Sequence, residues 1–74
     1  MAMLQFDGEK LKTLRKKRNL TQTELGLLVG KKTSNISNYE NGFSDPPADT
    51  LLNLMSFFQV SARELSRQAE AASV

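Results

Sequence analysis

A chain of 74 residues makes one domain, because either half of it would be too small to bury a core. Lacking cysteine and histidine, it can form no disulfide, thiolate metal site or imidazole ligand, so neither a metal nor another cofactor is expected. Net charge is only +2 but unevenly spread: residues 1–32 hold eight bases against three acids, whereas residues 33–74 hold two bases against five acids.

Residues 1–5 are expected to fray. Asp7 has the chemistry of an N-cap, with Phe6 and Leu11 placed as a hydrophobic staple across it. The first helix then runs to about Arg18, with Leu11 and Leu14 inward and Lys10, Lys12, Lys16 and Lys17 outward. Asn19 suits its end because asparagine tolerates the left-handed conformation. Arg15 lies close to the apolar stripe, so its charge needs a partner. Acidic residues soon after the start argue against a signal peptide, and no apolar run approaches a membrane span, so a cytoplasmic location is expected.

Thr21 followed three residues later by Glu24 predicts a capping box, and Leu20 with Leu25 a staple around it. A second helix therefore starts at Gln22 and ends near Gly30, the residue type best able to turn left-handed past a helix end. Gly26 inside it costs about 1 kcal/mol of helix propensity. The third helix begins after Lys31 with either Lys32 or Thr33 as its cap. Ile36 and Tyr39 fall on one face and pack inward; Asn35 and Asn38 fall on a polar, uncharged face.

Gly42, Asp45 and two prolines forbid helix between Asn41 and Pro47. A fourth helix runs from about Ala48 to Phe58, with Leu51, Leu54, Met55 and Phe58 at helical spacing. Ser61 and Glu64 form a second capping box, with a staple from Val60 to Leu65, opening a fifth helix that frays by about Ala71.

These pieces, in this order, resemble the Cro and phage-repressor type of helix-turn-helix domain, also called the xenobiotic-response-element family. The resemblance spans Leu11 to Leu65. It rests on Leu11, Leu14 and Arg15; on Leu20, Thr21, Gln22, Glu24 and Leu25; on Ile36, Ser37, Tyr39, Glu40 and Gly42; and on Pro46, Leu51, Leu54, Phe58 and Val60. Each short piece alone is weak, since Thr-x-x-Glu is merely a cap; their order and spacing carry the match. Five points depart from the family pattern: Gly26 for alanine, Lys31 for an apolar turn residue, Lys32 for a Ser or Thr cap, Leu27 and Leu28 at commonly polar positions, and Asp45 where a base would aid phosphate binding.

The resemblance implies an all-α, compact five-helix domain with the helix-turn-helix at helices 2 and 3. It implies a structural ion pair between Arg15 and Glu40. In such proteins the N-terminal residues of the second motif helix meet base edges in the major groove. Carried over, the base readers are Lys32, Thr33, Ser34, Ser37 and Asn38, with Asn38 able to pair bidentately with adenine. Phosphate contacts fall to Thr21 and Gln22 at a helix N-terminus, to Lys31, to Asn41 and to the amide of Phe43. Leu52, Phe57 and Leu65 are the candidates for a dimer surface.

The resulting expectation is a transcriptional regulator, a repressor that binds a palindromic operator on double-stranded DNA as a homodimer, without a membrane or small-molecule ligand. One alternative is a protein-interaction adaptor on the same fold, making contacts through Leu27, Leu28 or Phe57. Another is the antitoxin of a toxin–antitoxin pair. An enzyme is discounted, because nothing in the sequence orients its serines and lysines into a nucleophile–base pair.

Overall fold

The computed structural model describes residues 2–70. Strand β1 (Ala2–Phe6) leads into helix α1 (Gly8–Lys17), followed by α2 (Gln22–Val29), α3 (Thr33–Glu40) and α4 (Ala48–Phe58). A single 3-10 turn, Ala62–Leu65, precedes strand β2 (Ser66–Glu70). The two strands pair antiparallel, with Ala2 opposite Glu70 and Phe6 opposite Ser66. Among the described residues no helix is long and apolar enough to cross a membrane.

The helix ends follow their local chemistry. Asp7 accepts from the Glu9 amide at 3.0 Å, and Asn19 takes a φ of 56° beyond the end of α1. Gly30, at φ 72°, closes α2, and the Lys31 amide that follows donates to the Gly26 carbonyl at 2.7 Å. At the end of α4 the left-handed residue is Gln59, with the Val60 amide returning to the Met55 carbonyl at 3.0 Å.

Leu11, Leu25, Val29, Ile36, Tyr39, Leu54, Phe58 and Leu65 form the core, so every helix contributes at least one member. Complete burial of a leucine contributes about 1.5–3 kcal/mol, which makes this cluster the main source of stability. Gly8 lets α1 approach the end of α3: a Cβ there would lie 2.1 Å from the Tyr39 carbonyl oxygen.

Two expectations need correction. The fold is not all-α with five helices but four helices with a two-stranded sheet, and residues 2–5 belong to β1 instead of fraying. Met1 and residues 71–74, also expected to fray, lie outside the described residues. The expected fifth helix stops after one turn. Its Leu65 carbonyl accepts from the Asp7 amide at 2.9 Å, and the Ser66 carbonyl accepts from the Lys10 ammonium. With those acceptors taken, the helical ladder does not propagate, and Ser-Arg-Gln-Ala-Glu pairs as a strand despite good helix formers within it. Of the two caps the sequence leaves open for α3, Lys32 holds the position and Thr33 is the first helical residue.

Candidate nucleic-acid interface

Two helix starts and the turn between them build one face. At the first, the Thr21 hydroxyl accepts from the Glu24 amide at 3.0 Å while the Glu24 carboxylate accepts from the Thr21 amide at 2.9 Å. Hydrogen bonding to the carboxylate, from the Thr21 backbone amide foremost and then from the Thr21 hydroxyl, holds the Glu24 carboxyl below its ordinary pKa of 4.5. At the second, the Asn35 side chain performs the return half of such a box, its Oδ1 accepting from the Lys32 amide at 3.0 Å. Lysine has no acceptor with which to cap, so Asn35 supplies the polar group that the N-cap residue lacks.

Lys32, Thr33, Ser34 and Asn38 are exposed along α3. Ser37 is half-buried and its hydroxyl accepts from Asn41 Nδ2 at 3.2 Å. The Thr33 hydroxyl lies 2.7 Å from that of Thr23, linking the start of α3 to α2. Thr23 was no candidate on sequence grounds; only the close approach of the two helix starts brings it to this face, and no local signal marks it.

Beneath the face runs a buried polar tie. Arg15 Nε donates to Glu40 Oε2 at 2.6 Å and Nη2 to Oε1 at 3.0 Å, a bidentate fork. Nη1 donates to the Leu20 carbonyl at 2.7 Å. The Glu40 hydrogen bond raises the Arg15 pKa above its ordinary value, against the opposing effect of burial. Glu40 Oε1 also accepts from Gln22 Nε2 at 3.1 Å. One carboxylate therefore orients the amide at the start of α2, leaving the second hydrogen of Nε2 for an external acceptor.

The sequence profile described as Helix-turn-helix matches residues 11–65. That match spans most of the chain. The chain belongs to the Cro/C1-type helix-turn-helix family. It is 41% identical over 54 residues to the HTH-type transcriptional regulator ImmR of Bacillus subtilis (strain 168), matching 73% of this chain and 42% of that protein. The chain thus spans less than half the length of that curated relative. The P22 c2 repressor, solved with a synthetic operator, superposes with a TM-score of 0.77 at 34% identity, covering 82% of this chain and 92% of that one. A transcriptional regulator from Listeria innocua gives a TM-score of 0.78 at 25% identity, covering 96% of this chain and 65% of that one.

Within this Cro/C1-type motif, the face brings Thr21, Gln22, Lys31, Lys32, Thr33, Ser34 and Asn38 to the two helix starts and α3, with Ser37 and Asn41 joined at the far end. Phe43 departs from its expected role. Its amide donates to the Asn38 carbonyl at 2.9 Å as the chain leaves α3, so that donor is already used, while its side chain is 79% exposed. The dimer candidates also separate. Leu65 is 0% exposed and part of the core, which removes it from any surface. Phe57 is half-buried, edge-on to Phe58 at 4.9 Å, with the Arg18 guanidinium 5.4 Å from its ring centre. Leu52 alone of the three is exposed.

Proposed function

We propose that the chain is a sequence-specific DNA-binding transcriptional regulator, a repressor that occupies a palindromic operator as a homodimer. The observation that carries this reading is the exposed, uncharged row of Thr33, Ser34 and Asn38, flanked by Lys32 and set beside the α2 N-terminus. The hydroxyls and amide of that row supply hydrogen bonds to base edges in the major groove, and Asn38 suits adenine. Gln22, held by Glu40, and the amides at the start of α2 suit a phosphate. The likeness to the P22 c2 repressor, solved with a synthetic operator, supports the same docking. A single module of this size buries too little surface for tight binding, which favours two copies on half-sites one helical turn apart.

Selection from random duplexes followed by sequencing tests this. Wild type is expected to enrich a palindrome. Asn38→Ala is expected to lose about 1–3 kcal/mol of discrimination at one base position, blurring it. Gln22→Ala is expected to weaken all sites alike. Failure to enrich any sequence, with little binding even at low salt, removes the regulator reading.

A further inference from the structure

We propose that the outer edge of β1 is the self-association surface, pairing antiparallel with β1 of a second copy about a two-fold axis at Leu4. The proposal rests on the homodimer reading above and specifies its interface. The register of the ribbon decides which backbone groups are free. Asp7 donates to the carbonyl of Leu65, its opposite residue, so this is a hydrogen-bonded pair. Such pairs alternate along an antiparallel ladder. Gln5 with Arg67 and Met3 with Ala69 are therefore bonded within the ribbon, while Ala2, Leu4 and Phe6 turn their N–H and C=O groups outward.

The two edges differ. On the β2 edge the outward Ser66 carbonyl is already taken by the Lys10 ammonium. The same strand carries Arg67, whose guanidinium lies over the ribbon on Gln5 Oε1 at 3.2 Å. Edge strands are ordinarily guarded by charges, prolines or bulges. Strand β1, Ala-Met-Leu-Gln-Phe, has no charge and no proline, and its five residues pair with β2 without a bulge. Met3 and Leu4 are also exposed on its two faces.

A second copy fits this edge better than an arbitrary strand. Leu4 is the central residue of β1, so pairing about it sets 2 against 6, 3 against 5 and 4 against 4, with all three outward residues of each copy bonded. Two uncharged strands meet without like-charge repulsion, and the two Leu4 side chains become neighbours on one face. The result is a four-stranded sheet in the order β2-β1-β1-β2. A five-residue strand per copy covers less than the ~1,200 Å² of a free-standing interface. Pairing is therefore expected to be completed when two copies occupy adjacent half-sites, which raises their effective concentration.

The test compares wild type, Leu4→Pro and Leu52→Lys on duplexes carrying one or two half-sites of the enriched sequence, with circular dichroism to verify the fold. The Leu4 N–H faces outward, so proline there leaves the β1–β2 ladder intact while removing a donor from the proposed interface. Wild type and Leu52→Lys are expected to bind two half-sites cooperatively. Leu4→Pro is expected to bind a single half-site as wild type does and to lose cooperativity at least tenfold. Cooperativity kept by Leu4→Pro overturns the strand interface and leaves the homodimer standing; independent filling by wild type overturns both. A second readout needs no DNA. In this cysteine-free chain, Leu4→Cys places two sulfurs on residues about 5.5 Å apart across the axis, within disulfide reach. Its oxidation to a covalent dimer is expected to outpace that of Gln5→Cys. Equal rates overturn the register.

Discussion

At position 26, glycine is required by a neighbour and not by its own helix. A Cβ there would lie 2.4 Å from the Lys31 carbonyl oxygen, a backbone atom held where the Lys31 amide turns back onto the Gly26 carbonyl. From the sequence Gly26 looks like a plain loss of helix propensity, and alanine is the residue usual in the family. The structure reverses the sign. Alanine gains about 1 kcal/mol of propensity, but relieving the contact by moving the turn costs about 1–3 kcal/mol. We therefore expect Gly26→Ala to lower stability by roughly 1 kcal/mol, seen as a lower urea midpoint with unchanged slope. A rise in midpoint would mean that the Lys31 turn shifts freely.

Residues whose role is set by local spacing were readable, because their partners lie two to four positions away: Asp7, Thr21 with Glu24, and Gly30. Arg15 with Glu40 was readable for another reason, since a charge beside an apolar stripe needs a partner and the family pattern names one. Leu65 and the Phe43 amide were not. A leucine in an amphipathic turn can face either way until the packing around it is known, and an amide at a helix exit is free or used depending on how the loop closes.

For the elements, the same distinction holds. Four helices announce themselves by caps and periodicity. The ribbon does not, because neither strand makes sense without the other, and Ser-Arg-Gln-Ala-Glu alone favours helix. The α2 cap also carries a pH dependence. Glu24 is held below its ordinary pKa of 4.5 by the Thr21 amide and hydroxyl. A depressed carboxyl contributes stability that is present above 4.5 and lost as pH falls through the lower folded value. Glu24→Gln, which keeps the side-chain length but cannot ionise, is expected to flatten that acid limb. Melting temperatures of both proteins, followed from neutral pH to below 4.5, check this; parallel curves would assign the acid sensitivity to another group.

Across the whole molecule, the Arg15–Glu40 pair joins stability to the proposed DNA contact. It is the one ion pair found among the described residues, with both side chains buried, and it ties α1 to α3 while Gln22 Nε2 brings in α2. Removing one partner strands a buried charge, so Arg15→Met or Glu40→Leu is expected to cost about 3–5 kcal/mol. Removing both leaves apolar groups in an apolar setting. The double variant is therefore expected to recover most of that stability, because the desolvation of the two ions offsets much of their attraction. DNA binding should not recover with it. Without Glu40 the Gln22 amide loses the acceptor that orients it, so affinity is expected to fall for every sequence while the base preference proposed for Asn38 stays the same. Urea denaturation of the four proteins in the cycle, with binding to one selected and one unrelated duplex, separates the two roles. If the double variant binds as wild type does, the carboxylate serves the fold alone. If it stays as unstable as the single variants, the network holds the three helices in a way that apolar packing cannot replace.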